Sequence, residues 1–183
     1  PGQAPKENER AAAKPREAAS QLQPLASAAT ECLPLALALG RAQEEMGELP
    51  EAFVAFRAAA GRSATAADRA RTISARALEI VRNRFSEALR AGRREAAAWH
   101  LSRLERFWPN SAATLESAME MARAAGDTRA ELAAVKALLA SRPADSDLAL
   151  RRGQLELAVG DPGAGLALIE ALAAAKPADP ALQ

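Results

Sequence analysis

At 183 residues and a formal net charge of +1, the chain suits one ordinary domain or a short repeat array. That near-neutral balance excludes strong global attraction to nucleic acid or anionic membrane, though not a local patch. Ala, Leu, Arg and Glu dominate, aromatics are only 3% and Tyr is absent, so helix is favoured and strand-building residues are scarce. Cys32 is the single cysteine, which excludes an intramolecular disulfide and leaves the redox compartment open.

No uncharged apolar run approaches bilayer-crossing length. The chain opens at Pro1 without a secretory signal, which reads as a processed or excised segment. Residues 1–19 read as a flexible tether: Pro1, Pro5 and Pro15 interrupt a charged stretch with little to bury, and a short helix can start near Ala18.

From Leu33 onward, helical texture takes over. Pro34 falls in a first turn, where its missing N–H costs little. Gly47 ends that helix, and Leu49–Ala59 supplies the next. Around 61–71 lies an insertion of 11 residues. Thr65 followed by Asp68 predicts a capping box, with a loop over 61–65 and a long helix from Ala66 to Ala91. A break near Thr72 is the alternative.

Beyond it the text becomes periodic. Gly92, Gly126 and Gly160 are spaced by 34 residues, and so are Pro109, Pro143 and Pro177. Gly126-Asp127 returns as Gly160-Asp161, and Pro143-Ala144-Asp145 returns as Pro177-Ala178-Asp179. The spacing predicts buried faces of Ala98, Leu101, Leu104 and Phe107, then Leu132, Val135 and Leu138, then Leu166, Ile169 and Leu172. Asn110 or Ser111, Ser146 and Asp179 are the predicted N-caps. Pro180-Ala181-Leu182 reads as the opening of another helix, so the chain reads as a segment of a longer array, or as one whose open end a partner or second copy covers.

This period, together with Leu39-Gly40-Arg41-Ala42, Gly47-Glu48-Leu49-Pro50-Glu51-Ala52, Phe56 and Ala59, resembles the tetratricopeptide repeat (TPR) superfamily, in a divergent bacterial-type form. The resemblance implies an all-α fold: a right-handed α-solenoid of about four antiparallel helix pairs, a TPR-like superhelix over residues 20–183. Its repeats fall at about 33–64, 78–111, 112–145 and 146–179. Gly40 and Ala52 give the room at the first helix crossing, and Phe56 fills the groove beside them. Departures from the family pattern are Arg84 and Arg152 for Leu, Glu131 and Gly165 for Ala, and Phe85 and Met119 for the small crossing residue.

The resemblance also implies a protein or peptide partner, held in a concave groove lined by the first helix of each pair. Carried over by alignment, the groove positions are Leu37, Arg41, Glu44 and Glu45, then Glu79, Arg82, Asn83, Ser86 and Arg90. Glu116, Ser117, Glu120 and Arg123 follow, and then Asp147, Leu150, Arg151, Gln154 and Leu157. Only Asn83 matches a chaperone-type carboxylate clamp, so no such clamp is expected. A bacterial envelope or secretion assembly is the setting the family suggests, with periplasm and cytoplasm both open.

No catalytic, metal or cofactor constellation is expected. His100 is the single histidine, far in sequence from Cys32, which reads as a half-buried filler. Gly153, Gly160, Gly163 and Gly165 fall on the repeat grid and read as turns and crossings, not a phosphate cradle. Between Arg62 and Arg106, eleven arginines face five acids. That span is either a solvated face laced with pairs or a basic surface for an acidic partner or phosphate. Nucleic-acid binding through it and a purely structural spacer are the rival readings; Trp99 and Trp108 suit packing as well as stacking.

Overall fold

A computed structural model describes residues 32–175. The expected tether over 1–19, the short helix near Ala18, the Asp179 cap and the helix opening at Pro180 all lie outside the described residues. Among the described residues there are eight α-helices and no strand. In chain order they are α1 (Leu33–Glu45), α2 (Leu49–Ala59), α3 (Ala64–Arg90), α4 (Arg94–Phe107), α5 (Ala112–Ala125), α6 (Thr128–Ser141), α7 (Ser146–Val159) and α8 (Pro162–Ala175).

Three of the turns inside helix pairs close alike. Gly47, Gly92 and Gly126 have φ of +77°, +70° and +73°, a region where an L side chain is strained. The following N–H then reaches back five residues: Glu48 to Gln43, Arg93 to Ala88 and Asp127 to Ala122, each at 2.9 Å. Gly160 departs from this pattern, with φ −108° and ψ −128°. There the Asp161 N–H donates to Glu156 Oε2 at 3.0 Å. A Cβ on Gly160 would lie 1.9 Å from that oxygen. The fourth glycine answers to a carboxylate's close approach, not to a left-handed turn.

Helix starts follow side-chain capping. Ser111, Asp127 and Asp145 accept from the backbone N–H of Thr114, Ala130 and Leu148, at 3.1, 3.0 and 3.1 Å. Asp145, not Ser146, therefore caps α7, and Ser146 is its first helical residue. The Thr65 capping box also gives way. Ser63 Oγ accepts from Ala66 N at 3.3 Å, and Thr65 lies inside α3, which begins at Ala64. The helix runs unbroken to Arg90, with the Thr72 hydroxyl donating to the Asp68 carbonyl at 2.9 Å.

Two compact units divide between Val81 and Arg82, within α3. In unit one, α1 and α2 form a hairpin. Its buried apolar residues are Leu39, Phe53 and Phe56 with a set of alanines, joined by Ala66, Ala70, Ile73 and Ala77 of α3. These α3 positions recur at three- and four-residue steps, the period of one helix face. The α1–α2 crossing is tight: a Cβ on Gly40 would meet the Phe56 ring at 2.7 Å. Burying Phe56 contributes roughly 2–3 kcal/mol.

In unit two, α5 pairs with α6 and α7 with α8, and neighbouring pairs touch through α4–α5 and α6–α7. The departures at crossing positions compensate one another. Phe85 packs with Ala88 and Ala97, a large residue on one helix meeting a small one on the next. Met119 packs on the Leu132, Val135 and Leu155 cluster. At the last crossing both sides are glycine: a Cβ on Gly165 would lie 2.8 Å from the Gly153 carbonyl and 2.9 Å from Leu157 N. Two expected faces need correction. Helix α4 buries Ala97 and Leu104, with Ala98 exposed and Leu101 and Phe107 half-buried. On α8, Leu166 is 52% exposed, and Ile169 and Leu172 are half-buried. Their counterparts in α6, Leu132, Val135 and Leu138, are buried.

Candidate functional site

Unit one carries a cavity of about 360 Å³, lined by Leu37, Arg41, Glu44, Glu45, Phe56, Thr65 and Arg69. Leu37, Arg41, Glu44 and Glu45 come from one face of α1, where residues three and four apart are neighbours. Phe56 of α2 is 1% exposed and supplies apolar floor. Thr65 and Arg69 come from the start of α3, one turn apart. The four groove positions proposed in α1 therefore share this cavity. Thr65 and Arg69 are absent from that set, because both lie in the insertion around 61–71, outside the repeats from which the groove positions are aligned.

The rim is polar. Arg69 grips Glu44 with two bonds, Nη2 to Oε1 at 2.6 Å and Nε to Oε2 at 3.3 Å, the fork geometry suited to a carboxylate. Half of the Arg69 side chain is exposed, so solvent screens the pair, which is worth under about 1 kcal/mol. Its role is positional: it joins the start of α3 to the end of α1 across the cavity. Arg41 and Glu45 are exposed and make no ion pair among the described residues.

In unit two the corresponding charges are engaged internally. Arg82 Nη2 lies 2.6 Å from Glu116 Oε2, and Arg142 Nη2 lies 2.7 Å from Glu116 Oε1. Arg123 and Arg151 both hold Glu131. Arg123 Nε donates to Oε1 at 3.0 Å, and Arg151 donates to both carboxylate oxygens at 2.8 and 2.7 Å. Arg151 Nη1 also donates to Gln154 Oε1 at 3.4 Å. Asn83 and Arg90 are exposed and Glu120 is half-buried.

Glu131 stands at a helix crossing with its side chain only 4% exposed. The Arg151 hydrogen bonds hold its carboxyl below the usual carboxylate range, against the opposing push of burial, and Arg123 adds to the lowering. Arg151 is correspondingly raised, first by Glu131. Glu156 is also lowered, first by Lys136 at 2.7 Å and then by the Asp161 N–H. These partners were missed from sequence. The one legible signal was Arg82 and Glu116, unlike charges spaced by one whole repeat.

Cys32 is exposed, not a half-buried filler: it sits at the N-cap of α1 without a side-chain bond there, ahead of the helix's apolar face. Trp99 is 54% exposed, so it does not serve packing; Arg103 lies 4.8 Å over its ring and His100 meets it edge-on. Trp108 is half-buried. Among the described residues no group of three or more His, Cys, Asp or Glu could hold a metal ion. No helix there is long and apolar enough to cross a membrane.

No family model matches the chain, and no curated protein matches it. Solved structures do. The TPR domain of P58(IPK) is similar at a TM-score of 0.53 and 14% identity, covering 96% of this chain and 60% of that one. A tetratricopeptide repeat protein from Parabacteroides merdae ATCC 43184 gives a TM-score of 0.40 at 17% identity, covering 76% of this chain and 64% of its own. This chain thus spans less than two thirds of either. The likeness to the first establishes the fold: all-α and TPR-like.

Proposed function

We propose that the chain is a divergent member of the TPR superfamily and a non-catalytic scaffold that holds a segment of another protein. The pairs α1–α2, α3–α4, α5–α6 and α7–α8 are its four repeats, the second lengthened at its start. The observation that carries the reading is the unit-one cavity: an apolar floor of Leu37 and Phe56, with Arg41 and Glu45 at its rim making no ion pair among the described residues. An apolar pocket with a few polar groups at its edge is the usual form of a docking site. An extended peptide would seat one apolar side chain against Leu37 and Phe56 and pair its flanking charges with Arg41 and Glu45. Of the other groove positions, Asn83, Arg90 and Glu120 remain candidates for contact. Arg82, Glu116, Arg123, Arg151 and Gln154 act through the bonds that set helix positions.

A bacterial envelope or secretion assembly is the setting proposed with this reading, and self-association through the last helix pair is a separate element of it. The rival is a structural spacer, favoured by the internal pairing of Arg82, Glu116, Arg123 and Arg151. Peptide display separates the two. Random twelve-residue peptides selected on the purified chain should bind in the micromolar range by calorimetry. Leu37→Glu should weaken them at least tenfold. Absence of any selectable peptide would support the spacer.

A further inference from the structure

Three side chains of α1 form one row beside the unit-one cavity. Leu37, Arg41 and Glu45 follow one another at four-residue steps. They therefore share a face of the helix and read, from its start to its end, apolar, cationic, anionic. Leu37 is half-buried at the cavity, and Arg41 and Glu45 are exposed. The two charges do not neutralise each other. With the cation ahead of the anion they stand in the less favourable order for a four-residue helical pair, and neither makes an ion pair among the described residues. The carboxyl end of α1 adds to this. Its last turn holds Glu44 and Glu45 and no basic residue, at the pole where the helix dipole favours a cation. Arg69 of α3 answers Glu44, and Glu45 has no such partner there.

We propose that the guest of this cavity is an extended peptide segment with a set charge order: a large apolar residue, an acidic residue two positions along, and a basic residue two positions beyond that. The spacing carries the argument. Four residues of α-helix advance about 6 Å, and two residues of an extended strand advance about 6.4–6.8 Å with both side chains on one side. A strand laid along α1 thus presents every second side chain to one member of the row. The apolar one enters against Leu37 and Phe56. The acidic one meets Arg41, and the basic one meets Glu45 at the negative end of the helix. Over two steps the mismatch is about 1 Å, within reach of an arginine side chain. Whichever way the strand runs, the acid stands nearer the apolar anchor than the base does. The exchanged order sets like charges against Arg41 and Glu45 at once. The inference rests on the peptide-binding reading above and adds the chemistry of the guest.

Four short synthetic peptides test it, acetylated, amidated to remove terminal charges, and labelled with a fluorophore. Two carry the proposed order, Phe-Ser-Asp-Ser-Lys and its reverse Lys-Ser-Asp-Ser-Phe. Two carry the exchanged order, Phe-Ser-Lys-Ser-Asp and Asp-Ser-Lys-Ser-Phe, with the same composition. In fluorescence anisotropy at low salt, the tighter of the first two should bind the 183-residue chain at least about fivefold more strongly than either of the last two. The preference should fade in about 0.5 M salt. Glu45→Lys should shift the preference to Asp at both charged positions, and Arg41→Glu should shift it to Lys at both. Both residues are exposed, so the circular dichroism spectra should not change. Binding that is lost in Leu37→Glu yet ignores charge order, or a preference unmoved by either charge substitution, overturns this inference and leaves the cavity reading standing. No binding of any of the four, the result expected if a segment of this chain or a second copy fills the cavity, overturns both.

Discussion

The two units treat their charges in opposite ways. In unit one, Arg41 and Glu45 stand beside a cavity with no ion pair among the described residues, and the fork of Arg69 on Glu44 holds the wall in place. In unit two, Glu116, Glu131 and Glu156 each sit between cations from different elements and bind successive helices together. Glu131 shows the consequence most clearly. The repeat pattern that the sequence resembles has a small residue there, and a carboxylate at a helix crossing is tolerated only because two guanidinium groups reach it. One helical-repeat architecture thus holds both exposed charges beside a cavity and buried or half-buried carboxylates that bridge helices.

The sharpest way to break this contrast is to strip Glu131 of its partners. The double variant Arg123→Ala, Arg151→Ala leaves a buried carboxylate uncompensated and should lower stability by about 3–5 kcal/mol in urea unfolding. Glu131→Ala restores a small crossing residue and leaves two solvent-reaching arginines, so it should cost only about 1 kcal/mol. Equal costs would show that the carboxylate does not organise unit two.

Crossing geometry gives the next largest effect. Gly165→Ala forces Cβ against backbone atoms that cannot rotate away and should cost about 1–3 kcal/mol net of helix propensity. Gly40→Ala meets the Phe56 ring, which can shift, and should cost less, read as a smaller fall in Tm.

Acid should weaken unit two selectively. The carboxyls of Glu131 and Glu156 are held below their ordinary range. Their contribution is therefore fully present above the unfolded carboxylate value and is lost as pH falls through the lowered folded value. Unfolding followed between pH 7 and pH 2 should show this decline, and Glu131→Ala should make it shallower. The smallest effect belongs to unit one: Arg69→Ala should change stability by less than about 1 kcal/mol while loosening the cavity wall and weakening peptide binding several-fold.

What the residues alone disclose follows from periodicity. Gly92 and Gly126 can be placed in inter-helix turns by their 34-residue step, and Gly47, 45 residues before Gly92, by the local pattern of a left-handed cap. Gly160 kept the step yet took another conformation, since the Glu156 side chain, five residues back, replaces a carbonyl as acceptor for Asp161. On α4 the buried face is led by Ala97 and not Ala98, because alanine runs carry no amphipathic contrast to set the register. Leu166 has the right spacing for burial, but spacing cannot say whether another helix arrives to cover it. The cavity was half legible: α1 announced its face, whereas Arg69 meets Glu44 across 25 residues, at an angle no single helix period encodes.

The most direct test of the account is where a bound peptide lies. A photo-crosslinking residue placed at Leu37 should capture a selected peptide, with the adduct mapped by mass spectrometry to the peptide's apolar side chain, whereas the same residue at Glu120 should capture little. Strong capture at Glu120 and none at Leu37 would contradict the assignment of the guest to unit one.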